Sequence, residues 1–251
     1  MPYGLYLSAE GAYVQSQRLD VLANNMANVA TPGFKRDVSL FQSRLAQAIQ
    51  EGQSQNGGRG VDDIGGGVKV LATATDYSRG PLATSKNDTD VAIDGDAFFL
   101  VRHGNKDMLT RAGNFQLTAA GRLVTQDGDA VISDDGNPVE IAPDGGPWQS
   151  TGEGIVSQGG ENIPIALVRP RSLGDLAKVG ENLFASLAPP RPIPDEERHV
   201  AWHMVEQSTV KPSAEMMELI EASRAFEANV NLIHTQDEML STLINRGLVQ
   251  T

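Results

Sequence analysis

The stretch ANNMANVATPGFK, residues 23–35, decides how this chain is read, because a long helical pattern stops inside it. Upstream, Leu5, Ala9, Ala12, Ser16, Leu19, Ala23, Met26 and Ala30 follow one another at spacings of four and three, broken only by the polar Ser16. That heptad stripe predicts a helix with one narrow apolar face over residues 3–30, about 40 Å long. Thr31-Pro32-Gly33 ends it: proline disfavours helical geometry at the residue before it, and glycine supplies the reversal. Asn24, Asn25 and Asn28 occupy the last turns, where asparagine is a poor helix former. Two readings stay open for them, fraying before the turn or carboxamides that donate and accept across to neighbouring chains.

The far end of the chain repeats the pattern. Met216, Leu219, Ser223, Phe226, Val230, Ile233, Asp237, Leu240 and Ile244 again alternate threes and fours, interrupted at Ser223 and Asp237. A helix is expected from an N-cap at Ser213 to about residue 246, roughly 50 Å. Two long helices with single narrow stripes need each other, and further helices, to bury them.

Between the ends the period becomes strand-like. Val91–Ile93, Phe98–Val101, Met108–Arg111, Phe115–Leu117, Arg122–Thr125 and Ala130–Ile132 are short apolar runs separated by turn signals such as Asp94-Gly95, Gly104-Asn105 and Asp127-Gly128. Gly154–Ser157, Ile163–Val168 and Leu183–Ala185 continue the series. The expected fold class is α+β: a discontinuous coiled-coil domain of the N- and C-terminal helices with an inserted antiparallel, mostly β domain. Residues 1–35 and 205–251 would form the helical part. Residues 36–69 would form an amphipathic segment, helical through Val38, Phe41, Leu45 and Ile49, and a tether with seven glycines between 52 and 67. Residues 70–204 would form the β domain, ending in a stiff return linker at Pro189–Pro194.

Composition narrows the function. The 251 residues carry a net charge of −12, which argues against nucleic acid and anionic lipid as partners. Absence of cysteine excludes a disulfide scaffold, a thiol nucleophile and thiolate metal sites. The N-terminus lacks the basic and continuous apolar regions of a cleaved secretory signal, and no apolar run approaches the ~18 residues that span a bilayer. His199 and His203 have metal-pair spacing but no intervening glutamate, and the loop starting at Asp127 puts Val131 and Ile132 where a calcium loop needs a ligand and glycine. Nucleophile-elbow, phosphate-loop and dinucleotide patterns are absent. No cofactor, no small-molecule substrate and no enzymatic activity are therefore expected; the rival from another class is a secreted β-rich hydrolase or surface-binding module with helical arms.

At three places the chain resembles the flagellar rod and hook family of axial proteins. Asn24–Lys35 follows its N-terminal pattern Asn-Asn-x-Ala-Asn-x-x-Thr-Pro-Gly-Phe-Lys. Asp90–Phe99 and Thr110–Phe115 resemble its β domain, and Ile220–Asn229 its C-terminal signature. The resemblance implies a structural subunit of the basal-body rod in the periplasm, exported by the flagellar type III apparatus without a cleaved signal. Its partners would be copies of itself and other rod or hook axial subunits. Leu5, Leu19, Met26, Leu219, Phe226, Ile233 and Leu240 would supply the shared seam, with Asn24, Asn25 and Asn28 setting register. Within the family, the short chain suits a rod rather than a hook subunit, and Thr209-Val210-Lys211-Pro212 resembles the proximal rod subunit, the distal one being the alternative.

Overall fold

A computed structural model describes residues 3–44, 66–142, 145–180 and 182–248. It is α+β, with helices at both ends and antiparallel strands between them. The chain divides into two compact units. One contains residues 1–27, 37–75 and 211–251, the other residues 28–36 and 76–210.

The first unit is built from helix α1 (Tyr3–Ala27), strands β1 (Asp37–Ser43) and β2 (Val68–Thr75), and helix α2 (Pro212–Leu248). Helix α1 stops at Ala27, three residues before the expected end, because Asn28-Val29-Ala30 already turns, with the Thr31 N–H bonded to the Asn28 carbonyl at 3.2 Å. Helix α2 begins at Pro212 rather than after a Ser213 cap. Proline suits the first helical position, where its missing N–H would have had no partner. The expected amphipathic helix after residue 36 is instead β1, paired antiparallel with β2. The register shifts between Leu40 and Phe41, with Leu71 of β2 as the extra, unpaired residue. Val38, Leu40 and Phe41 are all exposed, so the three-residue spacing of Val38 and Phe41 marks no buried helical face. Leu45, Ile49 and the tether glycines up to Gly65 lie outside the described residues.

The second unit carries most of the core. Its largest sheet runs Leu176–Gly180, Leu183–Ser186, Lys106–Thr110, Phe98–His103, Ala130–Val131, Leu123–Val124, Gln116–Leu117. Strand Phe98–His103 is central and buried on both faces, so it reads as a continuous apolar run instead of an alternation. Adjacent side chains point to opposite faces: Phe99 packs edge-on to Phe115 with centroids 5.1 Å apart, and Phe98 to Phe184 at 5.8 Å. The Gly104-Asn105 hairpin joins this strand to Lys106–Thr110 as expected, Gly104 taking a φ of +59°. Asp94-Gly95 is not a hairpin. Strand Val91–Ile93 pairs with Val200–Trp202, about a hundred residues away in sequence. The Pro189–Pro194 segment is extended but is no free linker. Arg191–Pro192 pairs with Val168–Arg169 at a sheet edge, where proline is tolerated, and Ile193 is buried.

Candidate assembly site

In the helical unit α1 and α2 lie antiparallel, and their facing positions repeat every seven residues. Gly4 meets Gln236, Gly11 meets Asn229, and Asn25 meets Glu215. Between them the Arg18 guanidinium bonds to Glu218 at 3.4 Å. The row that α1 turns to α2 is thus Gly4, Gly11, Arg18 and Asn25, one residue round from Leu5, Ala12, Leu19 and Met26. Its two glycines make room for carboxamides on the partner row. A Cβ on Gly11 would stand 2.8 Å from Asn229 Oδ1, and one on Gly4 3.0 Å from Gln236 Nε2. Leu5, Leu19 and Met26 on α1, and Leu219, Phe226, Ile233 and Leu240 on α2, flank this row half-buried. The signal in the sequence was the pair of glycines seven apart opposite carboxamides seven apart, which apolar periodicity overlooks.

The asparagines separate in role. Asn25 is fully buried, and its carboxamide makes both bonds of a bridge with the backbone of Asp37: Nδ2 donates to the carbonyl at 2.8 Å, and Oδ1 accepts from the N–H at 2.9 Å. Its Nδ2 also lies 3.4 Å from the buried Glu215 carboxylate. The side chain thereby ties the end of α1 to the start of β1, where a helix and a strand offer each other no backbone ladder. Asn28 Oδ1 accepts from the Thr31 hydroxyl at 3.1 Å and shapes the turn. Asn24 is exposed on α1.

The second half of the motif is embedded in the β unit. Gly33 has φ +69°, a left-handed value, and a Cβ there would fall 2.4 Å from the Ala112 nitrogen. Only glycine fits. Phe34 is buried, with the Lys178 ammonium 3.9 Å over its ring. Lys35 is 1% exposed and donates to Glu206 Oε1 at 2.6 Å and to the Ser78 carbonyl at 2.6 Å. Glu206 also accepts from Arg111 Nη1 at 3.2 Å and from the Gly80 N–H at 2.8 Å. Arg111 donates to the Gly95 carbonyl at 2.6 Å and lies over Phe98. Burial pushes the Lys35 ammonium below its ordinary range and the Arg111 guanidinium likewise, with Glu206 opposing both shifts. Sequence reading quoted Lys35 and Arg111 as parts of motifs but missed Glu206, for nothing local marks a glutamate in a strand as buried.

The remaining sequence candidates do not converge. His199 and His203 stand at opposite ends of strand Val200–Trp202, and His203 takes φ +56° in a turn. Asp129 bonds to His103 Nδ1 at 2.8 Å at the rim of a hairpin. Among the described residues no group of three or more His, Asp or Glu has metal-holding geometry, and no helix is long and apolar enough to cross a membrane.

Three family descriptions match the chain in order along it: "Flagella basal body rod protein" over residues 5–35, "Flagellar hook protein FlgE/F/G D1 domain" over 92–160, and "Flagellar basal body rod FlgEFG protein C-terminal" over 203–246. The first ends at Lys35 and the last begins just before Glu206, so both partners of the buried ion pair fall within matched segments. Similar whole chains include the flagellar basal-body rod protein FlgF of Caulobacter vibrioides, 32% identical over 247 residues, covering 98% of each chain. The rod protein FlgG of Bacillus subtilis is 32% identical over 260 residues, covering 96% of this chain and 97% of its own. The FlgF protein of Mesorhizobium japonicum is 28% identical over 249 residues, covering 97% and 98%.

Proposed function

We propose, from the premise that this chain belongs to the flagellar basal-body rod protein family, that it polymerises through its terminal helices into the periplasmic rod and transmits torque there. Membership makes it a structural subunit of the flagellar basal body. The observation that carries the polymerisation reading is apolar surface on the helical unit. On α2, Met217 is 73% exposed, Leu243 68% and Ile244 59%, with Met216, Ile220, Leu232 and Met239 also exposed. At about 25 cal/mol per Å² of apolar area removed from water, such a face favours association strongly. The occupants are other axial subunits, each covering the flanking stripes of Leu5, Leu19 and Met26 or Leu219, Phe226, Ile233 and Leu240. The exporter would be the flagellar type III apparatus. The role is mechanical rather than catalytic.

Within the family a proximal, FlgF-type subunit is the better supported position. Identity does not separate the two types, since the FlgF and FlgG relatives stand at the same 32%. Length supports the first: the alignment to the Caulobacter FlgF protein spans 247 positions, within the 251 of this chain, whereas those to FlgG proteins span 260 to 263 and require insertions. The distal reading is kept by those same FlgG matches. Phe226→Asp tests the seam. It places a charge among the flanking apolar residues, and rods should fail to incorporate the variant while limited proteolysis leaves the β unit intact. Normal incorporation and motility would refute the seam. Electron microscopy of a deletion strain, read for the stage at which rods arrest, separates proximal from distal.

A further inference from the structure

We infer that Lys35, Arg111 and Glu206 are positioning residues for assembly, a buried ion clasp that holds the chain's exits from the β unit side by side. The chain passes between the two units four times, after residues 27, 36, 75 and 210. Inside the β unit the last three of these points are hydrogen-bonded neighbours. The Asp76 N–H donates to the Arg36 carbonyl at 2.9 Å, the Arg36 N–H donates to Thr209 Oγ1 at 2.9 Å, and the Thr209 N–H donates to the Phe34 carbonyl at 3.1 Å. The segment that enters after residue 27 is held close by, through Gly33 N–H to the Glu206 carbonyl at 2.7 Å.

None of these exit segments, Thr31–Arg36, Asp76–Gly80 or Gln207–Val210, is a strand, so no sheet ladder registers them. What they share is one carboxylate. Glu206 bonds to Lys35 on the first segment and to the Gly80 N–H on the second, and it sits at the end of the strand that leads into the third. Lys35 adds the Ser78 carbonyl. Arg111, at the end of strand Lys106–Thr110 and over Phe98, anchors the carboxylate to the hydrophobic core. The chain connects the helices to the β unit at these exits, and the clasp fixes them to one another. Its role in assembly rests on the rod-subunit reading; its local action does not, and the test below is read on the isolated full chain.

Amide hydrogen exchange on Glu206→Gln tests the inference. The substitution keeps the shape but leaves two buried cations without an anion and turns an N–H₂ group toward a donor. Exchange at the amides of Gly33, Asp76, Gly80 and Thr209 should accelerate at least ~100-fold, while Leu100 and Ile132, whose amides bond across the central sheet, stay within a few-fold of the native chain. Lys35→Met, which leaves the Glu206–Arg111 pair intact, is read by the same criterion if Glu206→Gln does not fold. Equal acceleration of exit and core amides, unfolding of both variants, or no acceleration at the exits would each overturn the clasp. A chain that shows the local pattern but enters no rod would instead count against the rod-subunit reading.

Discussion

Gly33→Ala is the perturbation whose cost can be worked most directly from the geometry. Alanine at φ +69° pays the left-handed penalty, about 1–2 kcal/mol. Its Cβ would also lie 2.4 Å from the Ala112 nitrogen and 2.5 Å from the Arg111 carbonyl carbon, both backbone atoms in a packed strand end that cannot rotate away. The turn must therefore move, which lengthens the 2.7 Å bond from Gly33 to the Glu206 carbonyl and draws Lys35 off its carboxylate. One backbone hydrogen bond is worth about 1 kcal/mol, and breaking a buried ion pair costs about 3–5 kcal/mol if complete. A partial loss brings the total to roughly 3–5 kcal/mol. Gly136→Ala is the matched control: its φ is +79°, but nothing lies within 4 Å of the added Cβ, so only the conformational part, about 1–2 kcal/mol, is expected. Urea unfolding followed by fluorescence of Trp148 and Trp202, which pack edge-on in the β unit with centroids 5.8 Å apart, reads both variants on the same transition. In heating experiments the difference corresponds to a Tm lower by about 5–10 °C in Gly33→Ala than in Gly136→Ala. Equal destabilisation by the two alanines would show that the turn tolerates a side chain and that its docking is not sterically specified.

Two further outcomes follow from buried polar groups. Because burial holds the Lys35 pKa below its ordinary value of 10.5, the unfolded chain binds more protons than the folded one in the window just beneath 10.5. Stability from this group therefore rises with pH through that window and levels off above it. Subtracting the urea stability of Lys35→Met, which has no such proton, isolates the trend; a pH-independent difference would count against it. Asn25→Ala removes both bonds to the Asp37 backbone and the contact of its Nδ2 with the buried Glu215, so the helical unit should lose about 2–4 kcal/mol. Far-UV circular dichroism should record the loss as an earlier helical transition, with the tryptophan transition of the β unit unmoved.

Apolar periodicity was a sound guide wherever burial alone chose the conformation. Both terminal helices, the run Phe98–Val101 and the hairpin at Gly104-Asn105 were legible because each depends on side chains and turns within a few residues of one another. Legibility failed where a distant partner intervened. Strand Val91–Ile93 could be seen but its partner Val200–Trp202 could not, and β1 looked helical because its partner β2, which makes it a strand, comes only after the glycine-rich segment. The assembly motif shows the same division within thirteen residues. Its helix-then-turn character is written in Asn24–Lys35, since proline and glycine act locally. Which unit each half joins is not. Asn25 is claimed by the Asp37 backbone, and Lys35 by a carboxylate 171 residues later. Helix, strand and turn came from short-range sterics and burial pattern; the facing rows of the helices and the buried ion clasp came from long-range contacts, because a charge or a carboxamide declares its partner only after the chain has brought the two together.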